Sequence, residues 1–331
     1  MPTTPVAGTE AEPTPAPEWI TFDSNNSDIP GSSVFELVMD PSGAIWVATD
    51  SGLGKFDGEN WEEYTTENSD LPNGKVTALA VDGTGTLWVG THHGMAQFDG
   101  ENWEVYTTEN SGLPFDMVHE LAFDQVGLLW IGLSCFYCQG SGGLASFDGE
   151  NWTSYDSFNS GIPDDQVIGL ALDEEGHAWV GTSESLGMFD GENWIDFART
   201  GDSTELRMYD IPGIDFDLDG RVWVSSADTG GIAYFDGESW TRFTLRELPV
   251  RPMMADDITV DHAGNKWIGT RKGLVKFDGD NWTVFDTENS GLPSSWIWVV
   301  LVDDKENVWI GMSEGGLAVY REGGVDLDLV E

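Results

Sequence analysis

A tryptophan-marked repeat of about 42 residues runs along most of the chain and limits the folds that it can adopt. The stretch from Trp61 to Asn102 shows the unit most clearly. Each copy carries two tryptophans, which are 27 residues apart in six copies and 29 apart in the fifth. The first stands at Trp19, Trp61, Trp103, Trp152, Trp194, Trp240 and Trp282, and the second at Trp46, Trp88, Trp130, Trp179, Trp223, Trp267 and Trp309. The repeat thus places 14 of the 16 tryptophans, and Trp296 and Trp298 stand outside it.

Each unit contains four short apolar runs separated by turn signals, and we name these runs A to D. In the second copy they are Val76 to Val81, Leu87 to Thr91, Met95 to Phe98 and Trp103 to Tyr106. Short runs rich in β-branched and aromatic residues are typical of strands. The Asp-Gly between runs C and D predicts a hairpin, because glycine tolerates a positive φ. A four-stranded antiparallel unit repeated at this spacing predicts a β-propeller blade.

The number of units predicts seven blades in one all-β domain. The turn pattern Asp-x-x-Gly between runs A and B occurs six times and returns in altered form at Asp303, where Glu306 replaces the glycine. The Phe-Asp-Gly turn between runs C and D also occurs six times, because the seventh unit stops after run C, at Leu317 to Tyr320. An unmatched D run, Trp19 to Phe22, stands near the start of the chain. We expect this N-terminal strand to complete blade 7 and close the ring.

The segments that flank the repeat differ from it in composition. Residues 1–17 are rich in Pro and Thr and predict a disordered tether, residues 18–324 the propeller, and residues 325–331 a short acidic tail. The start of the chain has no signal-peptide pattern, so the protein is cytoplasmic if Met1 is its native, unprocessed start. A Pro/Thr-rich stalk often follows a removed export signal, however, and we favour an extracytoplasmic location, either periplasmic or on the cell surface.

The chain is strongly acidic, with a formal net charge of −45 at pH 7. Binding to nucleic acid needs basic surface that neutralises phosphates, so this charge argues against a nucleic-acid partner. It also argues against anionic membrane surfaces, and no apolar run of about 18 residues predicts membrane insertion. We expect a monomer whose partner is a small molecule, an oligosaccharide or another protein.

The repeat resembles that of the two-component regulator propellers. The resemblance rests on Leu87-Trp88-Val89-Gly90-Thr91, Gly94, Phe98-Asp99-Gly100, Trp103 and Leu113-Pro114, and tandem copies extend it over about residues 19–322. It implies a seven-bladed sensor propeller that binds a ligand, often a carbohydrate, outside the membrane. A more distant resemblance is to streptogramin B lyase, whose metal-assisted chemistry implies a His/Glu cluster on one face. The histidines of this chain do not fall into such a motif: His92, His93, His119, His177 and His262.

Strand alternation predicts where a ligand would bind. The A–B and C–D turns share one regular face, whereas the B–C and D–A loops on the opposite face vary, and variable loops on a rigid scaffold usually carry function. The residues that flank the start of strand A also differ between copies, and alternation places them together at the mouth of the central channel. They include Lys75, Met117, Met254, Trp296 and Trp298. The two tryptophans suit a sugar ring or another planar ligand, unless they fill the core of the closing blade.

Basic residues gather in one sector of the ring. Ten of the 14 lie between Arg199 and Lys276, in blades four to six. A positive sector on so acidic a protein would attract an anion and could clamp a carboxylate or sulfate, although local pairing with neighbouring acids is the alternative. With the residues of the mouth, the predicted ligand-binding set is Lys75, Met117, Arg207, Arg246, Arg251, Met254, Arg271, Lys272, Trp296 and Trp298.

The longest B–C loop contains both cysteines of the chain, Cys135 and Cys138. In an exported domain this spacing favours a small local disulfide. A zinc site is the alternative, because His92 and His93 stand in the neighbouring B–C loop and two cysteines with two histidines are a known structural zinc set.

One A–B turn resembles a calcium-binding loop. Asp215, Asp217 and Asp219 alternate along it before a glycine, which makes them candidate calcium ligands. The pattern is incomplete, since the twelfth position is Ser226 rather than Glu. Asp217 is also an ordinary member of the Asp-x-x-Gly turn, so Asp215 is the unusual residue. We expect no other cofactor.

Three classes of function follow from these features. We favour a non-catalytic sensor or recognition propeller whose ligand is anionic, for example an acidic carbohydrate, and lies across the channel mouth. The first alternative is a protein-interaction scaffold with a broad flat face. The second is a lyase or hydrolase of polyanionic sugars, for which His119, Asp210 and Asp256 are the candidate acid/base residues at the mouth. A deep funnel or a flat disc at the mouth distinguishes the first two classes.

Overall fold

The structure is a computed structural model that describes residues 16–135, 142–201, 206–228, 231–243, 249–250 and 254–329. These residues form seven four-stranded antiparallel sheets and no helix. The innermost strands of neighbouring sheets contact one another, and those of the first and last sheets also meet, so the sheets are the blades of a closed ring. The prediction of a seven-bladed β-propeller is therefore confirmed.

The strands follow the chain in the order A, B, C, D within each blade. Blades 1 to 3 are β2 (Val34–Met39), β3 (Ile45–Thr49), β4 (Leu53–Phe56) and β5 (Trp61–Tyr64); β6 (Val76–Val81), β7 (Leu87–Thr91), β8 (Gly94–Phe98) and β9 (Trp103–Tyr106); and β10 (Val118–Phe123), β11 (Leu129–Ser134), β12 (Gly142–Phe147) and β13 (Trp152–Tyr155). Blades 4 and 5 are β14 (Val167–Leu172), β15 (Ala178–Thr182), β16 (Leu186–Phe189) and β17 (Trp194–Asp196); and β18 (Ile214–Phe216), β19 (Val222–Ser226), β20 (Gly231–Phe235) and β21 (Trp240–Arg242). Blade 6 is β22 (Ala255–Val260), β23 (Lys266–Thr270), β24 (Gly273–Phe277) and β25 (Trp282–Phe285), and blade 7 is β26 (Ile297–Val302), β27 (Val308–Met312), β28 (Leu317–Tyr320) and β1 (Trp19–Phe22).

The N-terminal strand closes the ring, as the unmatched D run predicted. Strand β1 pairs antiparallel with β28, with Trp19 opposite Tyr320 and Phe22 opposite Leu317. The side chain of Phe22 packs with the apolar cluster between blades 7 and 1, and that of Trp19 packs between blades 6 and 7. The first strand of the chain thus supports both joints of the last blade.

The Asp-x-x-Gly turns are stabilised by their own aspartate. In blade 2, Asp82 Oδ1 accepts hydrogen bonds from the N–H groups of Thr84 at 2.8 Å and Thr86 at 3.0 Å. Gly85 of that turn has φ 89°, which glycine adopts without strain. In blade 7, Glu306 takes the glycine position with φ 64°, so the altered turn keeps the same geometry at some cost in backbone strain.

The same aspartates fix the second tryptophan of the unit. In five blades the indole Nε1–H donates to the Oδ2 of the turn aspartate at 2.8–3.0 Å. The pairs are Trp46 with Asp40, Trp179 with Asp173, Trp223 with Asp217, Trp267 with Asp261 and Trp309 with Asp303. This bond satisfies a buried indole N–H and explains why the repeat keeps Asp and Trp six residues apart.

The hydrophobic core is divided among the seven joints between blades. Each cluster of buried apolar side chains combines strands of two neighbouring blades. Between blades 1 and 2, for example, Trp46 and Leu53 pack with Val76 and Phe98. A single blade cannot bury both of its faces, so ring closure completes the core.

A bulge interrupts the alternation at the start of the innermost strand in six blades. The pairing register skips one residue, for instance between Val34 and Glu36 in β2 and between Ala255 and Asp257 in β22. A bulge leaves one residue unpaired and turns neighbouring side chains toward the same side. Phe35 and Glu36 therefore both line the central channel, whereas simple alternation placed only Phe35 there.

The segment that follows Gly324 packs on blade 7. Val325 is buried, and its N–H donates to the carbonyl of Pro17 at 2.8 Å. Asn307 donates through Nδ2 to the carbonyl of Asp326 at 2.7 Å, and Asp326 N–H donates back to Asn307 Oδ1 at 3.1 Å. The described part of the acidic tail is thus attached to the ring beside the N-terminal strand.

Candidate functional site

A cavity of about 870 Å³ opens at the mouth of the central channel. It is lined by the starts of the innermost strands and by loops of the variable face. Of the predicted ligand-binding residues, Lys75, Met254, Arg271 and Trp298 line this cavity. Its volume lies in the range typical of ligand-binding clefts.

Aromatic rings form a continuous curve along one side of the mouth. Trp296 and Trp298 meet edge to face with ring centroids 5.8 Å apart, and Trp298 stacks on Phe35 at 4.8 Å. The Arg271 guanidinium lies over Trp296 at 5.0 Å, and Lys75 Nζ lies over Phe35 at 4.4 Å. We call Trp296, Trp298 and Phe35 the aromatic arc; a cationic side chain flanks each of its ends. Trp296 is 39% exposed, so its ring is available to a ligand.

Asp256 holds one end of the arc. Its Oδ2 accepts from Trp296 Nε1 at 3.0 Å and from Arg271 Nε at 3.2 Å, and its Oδ1 accepts from Arg271 Nη2 at 3.2 Å. Asp256 is the bulge residue of β22, whereas Trp296 immediately precedes β26 in the next blade. One carboxylate therefore orients an aromatic ring and a guanidinium from two different blades, and it neutralises the charge of the latter.

The predicted basic sector is only partly assembled around the mouth. Arg271 pairs with Asp256, and Arg199 pairs through Nε with Asp196 at 3.3 Å. Arg207 and Lys272 are exposed. Arg246 and Arg251 lie outside the described residues. Met117 is half-buried beside the mouth, where its carbonyl accepts from Ser134 N–H at 3.3 Å, and it does not line the cavity.

Two histidines and a lysine meet on the other side of the mouth. The rings of His92 and His119 are 5.8 Å apart at their centroids. Burial, followed by the charges of His92 and Lys75, lowers the pKa of His119 to about 4. Burial also lowers the pKa of Lys75, and Asp50 opposes this shift. His119 is therefore neutral at physiological pH and adds no positive charge to the mouth.

Four carboxyl groups lie deeper in the channel, and the sequence patterns singled out only one of them, Asp215. Burial first, and Asp257 second, raise the pKa of Glu36 to about 8. Burial also raises the pKa of Asp257 to about 7 and that of Asp215 to about 6, although each carboxylate accepts two backbone N–H bonds. Burial, with the charges of Glu36 and Asp257, raises the pKa of Glu120 as well. At neutral pH the Glu36 carboxyl is therefore mostly protonated.

Two of these carboxylates also connect neighbouring blades. Asp215 Oδ2 accepts from Val260 N–H in blade 6 at 2.7 Å, and Asp257 Oδ2 accepts from Val300 N–H in blade 7 at 2.7 Å. Strand alternation gave no signal for Glu36, Glu120 and Asp257. The signal that could have found them is a charged residue one position after the divergent mouth residue, in strands that are otherwise apolar.

The three candidate calcium ligands are engaged by other groups, and Asp217 shares Arg221 with Asp219, at 3.5 and 2.9 Å. Asp215 faces the channel and bonds to Val260 N–H, and Asp217 accepts from Trp223 and lies 3.4 Å from Lys266 Nζ. Asp219 pairs with Arg221 at 2.9 Å. The structure therefore does not bring their oxygens together. In the described part of the chain, the three groups close enough to share a metal ion are Asp173, Glu175 and His177, where His177 Nδ1 already pairs with Asp173 at 2.9 Å.

Cys135 is buried, with 3% of its surface exposed, and it is disulfide-bonded. Cys138, its predicted partner, lies outside the described residues. The assignment of this pair, like the zinc alternative with His92 and His93, stays a prediction. None of the described residues belongs to a helix long and apolar enough to cross a membrane.

The architecture and the cavity define the class: a seven-bladed β-propeller with a ligand-sized opening on its variable face. Residues 70–93 match the family model of the two-component regulator propeller, which confirms the resemblance predicted from the repeat. None of the curated protein sequences matches the chain.

Several solved structures share the fold. One is the extracellular domain of a hybrid two-component system from B. thetaiotaomicron, at 18% identity and TM-score 0.74, covering 94% of this chain and 42% of that one. Virginiamycin B lyase from Staphylococcus aureus matches at 13% identity and TM-score 0.71, covering 92% of this chain and 99% of the lyase. PorZ, a surface component of the type IX secretion system of Porphyromonas gingivalis, matches at 18% identity and TM-score 0.71, covering 92% of this chain and 48% of PorZ.

These likenesses establish the shared propeller fold. The chain spans about two fifths of the length of the B. thetaiotaomicron extracellular domains that it matches, at 39–42%.

Proposed function

We propose that this propeller is a non-catalytic ligand-binding sensor module that binds an oligosaccharide at the channel mouth. The observation that carries the proposal is the aromatic arc, where Trp296 is exposed beside a cavity of about 870 Å³. Aromatic faces on a preformed wall are well suited to the apolar faces of sugar rings, and cavities of this size accommodate small ligands. Trp296 and Trp298 are also the two tryptophans that the repeat does not require.

The arc is held in place before any ligand arrives. Asp256 fixes the ring of Trp296 through its Nε1–H, and Trp298 is fixed by its stack on Phe35. Side chains that are already ordered lose less conformational entropy when a ligand binds, which favours affinity. This preorganisation supports a binding role rather than a purely structural role for the two tryptophans.

The site would act outside the cytoplasmic membrane. The structural neighbours from B. thetaiotaomicron are extracellular domains, and the disulfide at Cys135 suits an oxidising compartment. An oligosaccharide in that compartment is a natural input for a sensor domain. The anionic ligand expected from the basic residues would have to compete with Asp256 for Arg271, because that guanidinium is already paired.

Titration calorimetry with neutral, acidic and amino oligosaccharides of equal length tests the proposal. We expect Trp296→Ala and Trp298→Ala each to weaken binding roughly tenfold, equivalent to about 1.4 kcal/mol. Phe158→Ala is the matched control, because Phe158 is 89% exposed and does not line the cavity. Equal affinity of the parent and both tryptophan variants for every bound sugar would show that the site lies elsewhere, and no binding of any sugar would refute the ligand class.

A further inference from the structure

The cavity behind the aromatic arc contains more acidic than basic side chains. Four carboxyls lie deep in the channel, those of Glu36, Glu120, Asp215 and Asp257, and three more lie at the mouth, those of Asp210, Asp228 and Asp256. Among the described residues that line the cavity, Lys75 and Arg271 are basic and His119 is a histidine. In the described part of the lining, the carboxyls should therefore determine which ligand charge the site favours.

Both basic residues are already engaged. Arg271 forms a two-point ion pair with Asp256, and its charge also acts on Asp210, whose pKa is raised by burial and by Asp228. Lys75 is half-buried against Phe35, and burial lowers its pKa. Neither is a free cation that an incoming anion could pair with at no cost.

No basic side chain of the described residues forms an ion pair with the deep carboxyls. Asp215 and Asp257 are each satisfied by two backbone N–H groups, whereas Glu36 accepts only from the N–H of Leu37, at 3.0 Å. Glu120 is half-buried, lines the same cavity, and accepts no hydrogen bond from any described residue. Its carboxyl is therefore accessible from the channel, where a ligand group that enters can bond to it.

We propose that the mouth and channel together select an oligosaccharide with free amino groups, whose sugar ring stacks on the aromatic arc while an ammonium group reaches Glu36 and Glu120. The inference rests on the proposed function, and it names the ligand class for the same site. The two parts of the site are adjacent, because Phe35 of the arc immediately precedes Glu36 in β2. Both Phe35 and Glu36 line the same cavity, so a ligand stacked on the arc lies beside the carboxyl-lined channel.

Proton release is the physical signature of this arrangement. Burial, and then the charge of Asp257, raises the pKa of Glu36 to about 8, so this carboxyl is mostly protonated at neutral pH. Burial, and then the charges of Glu36 and Asp257, raises the pKa of Glu120 in the same direction. A nearby ammonium favours the ionised carboxylate, and binding of a cationic sugar must then expel protons into the buffer. A neutral sugar that only stacks on the arc would expel none. The groups that face these two carboxyls are Asp257, with a raised pKa, and at the mouth Lys75 and the neutral His119.

The experiment is titration calorimetry at about pH 6 with tetramers of glucosamine, N-acetylglucosamine and galacturonic acid, each in two buffers of different ionisation enthalpy. At this pH the glucosamine amines are largely protonated. We expect the glucosamine tetramer to bind at least tenfold more tightly than either of the others, with a buffer-dependent heat that shows proton release. Equal or tighter binding of the acetylated or the acidic tetramer would overturn the inference.

Charge-removing variants locate the effect. Glu36→Gln and Glu120→Gln mimic the protonated carboxyl, so the fold is preserved, and each should weaken binding of the glucosamine tetramer roughly fivefold and reduce proton release while leaving the acetylated tetramer unaffected. Glu101→Gln, in the exposed C–D turn of blade 2 on the opposite face, is the matched control. Unchanged affinity and proton release in both channel variants would refute the role of the carboxyls.

The two proposals can fail separately. If sugars bind through Trp296 but the amino tetramer has no advantage, the inference on ligand class is wrong and the proposed function stands. If no tetramer binds, or if Trp296→Ala leaves all binding intact, both are wrong.

Discussion

Single residues carry two roles at once in this ring. Asp303 shows this most fully, because its Oδ1 accepts from the N–H of Lys305 and Asn307 while its Oδ2 accepts from Trp309 Nε1 at 2.8 Å and from Asn307 Nδ2 at 2.7 Å. The turn and the tryptophan are thereby fixed together. A repeat that keeps Asp and Trp at this spacing therefore keeps both the turn and the position of the tryptophan side chain.

The tryptophan–aspartate bond should be measurable. Trp309→Phe removes a buried hydrogen bond to a carboxylate and should lower the free energy of unfolding by about 2 kcal/mol. Trp130→Phe is the matched control, because Trp130 occupies the same repeat position and its Nε1 is buried without a partner. Urea denaturation of the two variants compares them directly. A loss for Trp130→Phe as large as that for Trp309→Phe would mean that ring volume, not the bond, determines the cost.

The channel carboxyls predict that stability falls as pH rises. The folded-state pKa of Glu36 is about 8, that of Asp257 about 7 and that of Asp215 about 6, all above the ordinary values near 4. The folded protein therefore binds more protons than the unfolded chain in this window, and the free energy of unfolding decreases from about pH 5 to about pH 8. Urea midpoints across that range measure the trend.

Self-repulsion in so acidic a protein changes stability in the same direction, so a variant must separate the two causes. Glu36→Gln removes one group with a raised pKa and should flatten the pH profile between about pH 6 and 8. The exposed Glu101→Gln removes the same formal charge and should leave the slope nearly unchanged. Identical slopes in the two variants would assign the trend to overall charge.

The sequence predicted some mouth residues and missed others for a local reason. Alternation correctly grouped Lys75, Met254 and Trp298 at the mouth, because these positions lie before or at the bulge. It missed Glu36 and Glu120, because it assumed an unbroken strand where the pairing register shifts by one residue. The residue types at these bulges include no glycine, so the sequence does not mark where the register shifts. The position of these two carboxyls could therefore be found only from the structure.

Among the elements, the strand that closes the ring has the largest consequence. Strand β1 is predicted from a count of surplus and missing runs, and the structure places it against β28 in that role. Its Ile20 and Phe22 pack between blades 7 and 1, and its backbone covers an edge that would otherwise stay open. The beginning and the end of the propeller thus form one blade.

Deleting residues 1–24 should therefore destabilise the ring strongly. The loss of the partial apolar burial of Ile20 and Phe22 alone corresponds to about 2–3 kcal/mol, and the exposed edge of β28 should promote association of molecules. Deletion of residues 1–15 is the matched control, since it leaves β1 intact. Thermal melting and size-exclusion chromatography compare the two. An unchanged melting temperature in the longer deletion would contradict the closure that we describe.

Element boundaries followed the repeat closely where the copies are regular and less closely where they diverge. The second blade differs from its predicted strands by one residue, since strand C begins at Gly94 rather than Met95. Blade 5 has a shorter innermost strand, Ile214–Phe216, preceded by Asp210 with φ 46°. The repeat does not predict this shortened strand, because no other copy has one.

At the scale of the whole molecule, one rigid ring brings together residues from distant parts of the chain. Phe35 and Trp298 are far apart in sequence, yet their rings stack at 4.8 Å because blades 1 and 7 are neighbours in the closed ring. The count of blades predicted this adjacency, but it could not predict which side chains are exposed or paired. The pairing of Arg271 with Asp256, which changes the expected charge of the site, became visible only in the structure.

The central claim is that a ligand binds at the aromatic arc on the variable face. A crystal structure of the protein with the tightest-binding tetramer tests it most directly. We predict a sugar ring stacked on Trp296 or Trp298, with the chain of the ligand directed into the channel toward Glu36. A ligand bound to the regular face of Asp-x-x-Gly turns or to the outer rim of the blades, with the mouth unoccupied, would contradict the account.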